Sequence, residues 1–529
     1  MVGTGLLLVA TRLGQAGVAP AVAGPTPSSV PAVAGPTSGA TTAAQQPATS
    51  PAVPTTAAAT ATPHRLVDRS TVGRPWGTVP GLLQFRGNPT HTWYGTGPIP
   101  DAPRVLWRYP DRPMCTDEVV GGAAVREPAS TSSTQAGGAV KRWCGSGWTG
   151  QPVVWERPDG RTEVIFGAYD GAVHFVDAAT GRDLRPAYAT GDIIKGSVTL
   201  DPDGFPLLYA GSRDGALRVL ALDRERPEEL WALTANRHRV WNDDWDGNPS
   251  IVDGILLEGG EDSWFYAVAL HRHRDASGLV QVAPQVVASV PGWTDQLLTE
   301  LGDRNVSFES SVAVFEGRAY LANSGGRVVG YDLEGIDRGE LPVVFDFWMG
   351  DDVDASVVVD GDGALYVAAE LERRLPRALQ VGQLVKLDPS RPDDPVVWRL
   401  DVPGRVRPSG APDAGGMWAT PALHRGMLYV TTHAGDLLAV GTDDGVVRWR
   451  ERIGYHEWSS PAVVDDTLIV GACERGGALA WDVTDPDAPS PRWAVQLPTG
   501  GCVESTPAVW RGRIYVGSRD GFFYALGSD

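Results

Sequence analysis

Three short stretches hold the carboxylates best placed to do chemistry. The run WNDDWDGN (241–248) supplies Asp243, Asp244 and Asp246; NVSFES (305–310) supplies Glu309; GDDVDAS (350–356) supplies Asp351, Asp352 and Asp354. Hard oxygen ligands with no His or Cys beside them suit Ca²⁺ better than a transition metal. Trp148, Trp418 and Trp458 precede other hydrophobic runs in the same way, and Lys195 is one of only three lysines. Acids on one arc facing indoles on another form a site for Ca²⁺ with a planar or sugar-like ligand. Solvated loop acids and packing indoles are the alternative that the sequence leaves open.

What must position these residues is a repeat. From residue 149 onward, one pattern recurs eight times, opening with QPVV, GSVT, PSIV, SSVA, ASVV, TPAL, SPAV and TPAV. Each opening is followed by a second apolar run (EVIFGA, PLLYAGS, MLYVTT, RIYVGS), a tight turn and a third run. A fourth, usually Trp-bearing run (ELWAL, VVWRL, VVRWR) closes most units. Four short strands per unit at this period predict the blades of a β-propeller. The eighth unit lacks a fourth strand, and VLWRY at 105–109 matches it. The expected fold is therefore all-β: eight four-stranded blades, closed by an N-terminal strand at about 104–109 that removes the open edge. Trp107, Trp231, Trp398, Trp449 and Trp493 recur at one blade position and read as inter-blade packing. Asp170-Gly171, Asp214-Gly215 and Asp520-Gly521 read as hairpin turns requiring positive φ.

Composition agrees. The chain has 64 Gly, 42 Pro and 19 Trp against 5 Met, which favours turns and half-buried strands over helices. A net charge of −19 with no basic stripe excludes a nucleic-acid binder and disfavours an anionic membrane surface.

The phrases FVDAATGRDL and AVGTDDGVVRWR resemble the repeat of pyrroloquinoline-quinone-like (PQQ-like) propellers, and LLQFRGNPTHTWYGTGPIP (82–100) resembles the segment preceding their first blade. That superfamily includes quinoprotein alcohol dehydrogenases and the lipoprotein propeller of the outer-membrane β-barrel assembly machinery. The run 82–529 also resembles actinobacterial secreted propellers of unassigned activity. For a dehydrogenase, the resemblance implies Ca²⁺ on a quinone carboxylate, a catalytic acid, an indole under the ring and cations for the remaining carboxylates. Glu309, Asp354, Trp418 and Lys195 are the residues available for those roles, with Trp148 and Trp458 beside them. The adjacent-cysteine disulfide of many such enzymes is absent, because no two cysteines are neighbours.

In a propeller, the connections between blades and the second-to-third-strand hairpins share one face. The residues before each first strand then rim the channel in the order Trp148, Lys195, Asn248, Glu309, Asp354, Trp418, Trp458 and Glu504. All four cysteines fall on that face, where Cys115–Cys144 and Cys473–Cys502 are the expected pairs. Four free thiols in a cytosolic protein is the alternative. Residues 1–18 form a short apolar leader, too short to span a bilayer, and 19–75 an Ala/Pro/Thr-rich linker before the propeller at 76–529.

These features point to an extracytoplasmic, monomeric module held at the cell envelope, with no membrane span beyond an N-terminal anchor. It would bind a protein, a small molecule or a carbohydrate at the acidic–aromatic face. The alternatives are a Ca²⁺-dependent PQQ dehydrogenase and a carbohydrate-active site using Glu309 and Asp354 as paired carboxylates.

Overall fold

The alternation of β-branched and small residues with Asp-Gly and Gly-rich turns folds into eight blades of four antiparallel strands, two of the blades widened by a short fifth strand, in a computed structural model that describes residues 66–120, 139–148, 150–406, 410 and 412–528. The expected leader and nearly all of the linker lie outside the described residues. Its last ten residues, 66–75, are described: Val67 and Thr71 are buried, and Asp68 caps the short helical turn Arg69–Thr71. This stretch keeps close to the disc because the Val67 carbonyl accepts from Glu316 N in the fourth blade.

Second strands such as Leu207–Ser212 and Thr467–Ala472 are buried throughout, since neighbouring blades cover both of their faces. The outermost strands face water on one side and alternate, as Val447–Arg452 does. In blades 2 to 8, the pairing of third with fourth strand slips by one residue near the same place. Trp231, Trp398, Trp449, Trp493 and Trp107 lie beside that bulge, which adds local twist. Their rings pack on the next blade. Trp107 Nε1 donates to Ala178 O at 3.1 Å, and Trp398 Nε1 to Thr442 O at 2.8 Å. A Cβ on Gly181 or Gly445 would run into these indoles, and both glycines have positive φ. That explains the Gly in the repeated DAATG and GTDDG phrases.

Arg104–Tyr109 pairs with Phe523–Gly527, so the chain's two ends complete the eighth blade as the repeat predicted. The hairpin glycines Gly171, Gly215 and Gly521 have positive φ.

The segment 76–96 crosses the central channel, a course the repeat pattern does not reveal. Gly81–Leu82 pairs with the first strand of blade 1 and Gly95–Thr96 with that of blade 8. Between them, backbone and side-chain groups bond to the innermost strands of the other blades. Leu200 N donates to Leu83 O, Asn248 Oδ1 accepts from Phe85 N, Val314 N donates to Pro89 O, and His91 Nδ1 meets Val357 O at 2.7 Å. Arg86, fully buried with φ +55, donates through its two terminal nitrogens to the carbonyls of Pro461 and Pro421. Its guanidinium lies 4.5 Å from the centre of the Tyr94 ring. All eight inner strands are thereby tied to one segment.

Candidate functional site

The face carrying the inter-blade connections also carries the insertions. They are the hairpin Cys115–Val120 with Ala139–Cys144, the helix Asp295–Leu301 before blade 4, and the helix Pro376–Val381 within blade 5. Both expected disulfides, Cys115–Cys144 and Cys473–Cys502, are formed there, and among the described residues no cysteine is free.

The acids gather into two groups. In the first, Asp244 and Asp246 from the connection into blade 3 meet Glu261 from the hairpin of that blade, with oxygens within 4.8 Å of one another. All three are buried, and the Lys195 ammonium sits among them, 2.6 Å from Asp246 Oδ2 and 3.7 Å from Glu261 Oε1. Arg213 Nε donates to Asp244 Oδ2 at 2.7 Å. Burial pushes the Asp244 carboxyl up to about 7 and Glu261 well above the usual range. Burial alone would lower Lys195, but the surrounding carboxylates outweigh it and hold the ammonium firmly charged.

In the second group, Asp352 and Asp354 from the connection into blade 5 meet Glu370 from the end of that blade's second strand, again within 4.8 Å. Among the described residues the cation that approaches is Arg373, its Nη1 lying 3.4 Å from Asp352 Oδ2. Burial raises Asp352 to about 7 and lifts Asp354 and Glu370 well above their ordinary values; nearby carboxylates add to it, Asp351 and Glu372 at Asp352, Glu309 and Asp352 at Asp354, and Asp354, Asp352 and Glu372 at Glu370. No donor among the described residues reaches Asp352 Oδ1 or Asp354 Oδ1. Glu309, whose Oε1 is 3.0 Å from Ser307 Oγ, adds its charge to both groups, acting on Lys195 and Glu261 on one side and Asp354 on the other.

Two expected members stand apart. Asp243 forms a surface ion pair with Arg239 at 3.1 Å. Asp351 accepts from the backbone amides of Asp352, Arg373 and Arg374, so it braces the loop. Asn248 anchors the channel segment, accepting from Phe85 N and donating to Thr199 Oγ1.

The three indoles do come together. Trp458 lies 4.7 Å from Trp148 and 5.5 Å from Trp418, ring centre to ring centre. Two histidines that the sequence did not single out complete the group: His433 is 4.2 Å from Trp418, and His456 is 3.7 Å from Trp458. Trp458 Nε1 donates to His433 Nδ1 at 3.0 Å. Burial lowers both imidazoles to about 4, so this wall is uncharged at neutral pH. Trp418 and Trp458 are only 5 % and 7 % exposed. Their faces are spent on each other and on the imidazoles.

Glu261, Glu370 and His433 lie outside the inter-blade connections that mark the other acids and indoles in the sequence. All three lie at the end of a second strand or in the turn that follows, which opens onto the same face, and that placement was the available signal.

Residues 380–526 match a family model described as PQQ_2, outer membrane protein assembly factor BamB. No curated protein matches the chain. Among solved structures, the quinohemoprotein alcohol dehydrogenase of Comamonas testosteroni is similar at 13 % identity and a TM-score of 0.49, over 85 % of this chain and 80 % of that one. The computationally designed protein Ika8 is similar at 13 % identity and a TM-score of 0.46, over 69 % of this chain and 93 % of its own. Residues 380–526 thus carry PQQ-like repeats, within an eight-bladed propeller that holds two disulfides.

Proposed function

We propose that the protein is an exported propeller held at the cell envelope that acts by binding, as a ligand-binding or protein-scaffolding module, and that its acidic face works with a bound Ca²⁺. The observation that carries this reading is the contrast between the two acid groups. Lys195 and Arg213 already balance Asp244, Asp246 and Glu261. Asp352, Asp354 and Glu370 have only one guanidinium among the described residues, at the Asp352 edge, and no cation sits among them as Lys195 does in the first group. A divalent cation held by the second group would let its carboxylates ionise together, as hard oxygen ligands favour. The disulfides and the repeat matched to an envelope assembly factor support the extracytoplasmic setting.

The residues present fit a quinone poorly. A planar ring needs an open indole face at about 3.5 Å, whereas Trp418 and Trp458 are buried against each other and the histidines. A tricarboxylate also needs unspent cations, whereas Lys195, Arg213 and Arg373 are engaged by acids. The test is to incubate the protein with pyrroloquinoline quinone and Ca²⁺, then record the quinone absorbance and a dye-linked alcohol assay. The binding reading predicts no perturbed quinone band and no turnover. Stoichiometric quinone uptake with dye reduction would replace it with a dehydrogenase.

A further inference from the structure

On the opposite face, a cleft of about 530 Å³ opens between blades 5, 6 and 7 and the chain leaving the central channel. That volume lies in the range of small-molecule sites. Its walls are turns between first and second strands, at residues 360–362, 423–426 and 463–465, together with residues 72–73 and 92–95. None of the acids and indoles described above lines it.

Three features of the cleft bear on what it would take. Its charges are mixed in sign: Asp360, Asp362, Asp443 and Asp465 stand among Lys386 and Arg425, with Arg69 paired to Asp362 from outside. Neither a polyanion nor a polycation meets a continuous field of opposite sign there. Several of these groups keep hydrogen-bonding capacity. Lys386 Nζ uses one donor on Thr442 O at 3.3 Å and lies 3.7 Å from Asp360 Oδ2, leaving a third N–H over from the three an ammonium carries. Asp443 and Asp465 are exposed. The cleft also has a fixed aromatic wall. Trp93 is held edge-on against Trp510 with ring centres 6.2 Å apart, and Gly87 packs so closely beneath it that a Cβ there would strike the indole. Tyr94 and Tyr366 beside it are buried, so the ring the wall offers to a ligand is that of half-buried Trp93.

From these observations we infer that the cleft is a binding site for a neutral oligosaccharide. Such a ligand offers an apolar C–H face for an aromatic wall. Its hydroxyls act as donor and acceptor together, which suits a rim of interspersed carboxylates and cations. The rigid walls keep the ordering cost of binding low. The inference is independent of Ca²⁺ and of the acidic face.

The experiment is calorimetry on the full chain with malto-, cello-, xylo- and chito-hexaose, and with hexalysine and a sulfated dextran as charged probes. At least one neutral hexasaccharide should bind with a Kd on the order of 0.1–1 mM, the range of a shallow polar site. Asp443→Ala and Lys386→Met should each weaken it tenfold or more, whereas Glu309→Gln on the other face should leave it unchanged. Asp443 is exposed, so its variant separates lost binding from lost folding. Failure of every neutral saccharide to bind overturns the inference. So does saccharide binding indifferent to both cleft variants, or binding of a charged probe alone.

Discussion

Arg86 offers the sharpest test of how the disc is held together. It is a fully buried cation with no carboxylate partner among the described residues, and it reaches from the channel segment to the carbonyls of Pro421 and Pro461 in blades 6 and 7. Replacing it by Met keeps much of the volume and removes the desolvated charge, but it strands two buried acceptors. Each lost bond to a buried acceptor costs on the order of 1–3 kcal/mol, so Arg86→Met should destabilise the protein by about 2–5 kcal/mol. Arg86→Ala should cost more, since it adds a cavity beside Tyr94. In a domain of this size a kilocalorie moves Tm by only ~1–2 °C, so calorimetry should show a fall of roughly 2–10 °C for Met and a larger one for Ala. Limited proteolysis should also begin to cut within 76–96 in both variants. If Tm stays within a degree and that segment stays protected, the account of the channel segment as a tie between blades is wrong.

Three further outcomes follow from the geometry. Removal of residues 1–65 should leave Tm unchanged, whereas removal of 1–112 takes away Arg104–Tyr109 and the channel segment and should abolish soluble folded protein, read by circular dichroism after purification. Mass analysis without reductant should find no free thiol, and losing either 29-residue cross-link should cost about 3 kcal/mol, visible as a lower Tm on reduction. The buried carboxyls predict a pH dependence whose sign is set by their raised values. Asp244 and Asp352, each lifted to about 7, stabilise the fold while protonated, and that contribution is lost as pH rises from their ordinary range near 4 through 7. His433 and His456, lowered to about 4, pull the other way below pH 6.5, but Glu261, Asp354 and Glu370 are raised further still and join the carboxyl side, so without divalent cations Tm at pH 5 should exceed Tm at pH 8; equal or inverted values would contradict the raised carboxyls.

The blades were legible because each is written locally. Small and β-branched openings, turn glycines and a Trp in five of the eight units repeat within about fifty residues, and the missing eighth fourth strand left a countable gap that 104–109 fills. The channel segment was legible only as a resemblance. Arg86, Asn88 and His91 bond to backbone carbonyls and to one another rather than in any periodic pattern. Backbone carbonyls leave no residue-specific mark in a sequence. Packing against the disc likewise reaches back to Val67, because a single buried Val and a capped turn do not alter a Pro-rich composition. At the acidic face, the inter-blade connections announced Asp244, Asp246, Asp352 and Asp354 by their density. Glu261 and Glu370 arrive singly at strand ends, and only the closing of the ring brings them to the others. The indole cluster was visible as rim positions, but its burial was not. That depends on His433 and His456 filling the space a ligand would need.

The central claim, a binding face organised by a cation on Asp352, Asp354 and Glu370, is tested most directly by following Tm at pH 8 as Ca²⁺ is added and then chelated. Holding one ion should raise Tm in a saturable way at millimolar Ca²⁺, and chelator should reverse it. The pair of changes Asp354→Asn with Glu370→Gln should abolish the response while leaving a folded, and at pH 8 more stable, protein, since two carboxyls that the fold hinders from ionising are removed. Asp246→Asn, in the group that Lys195 already neutralises, should keep it. A Tm indifferent to Ca²⁺, or a response that survives the double change, would contradict the account.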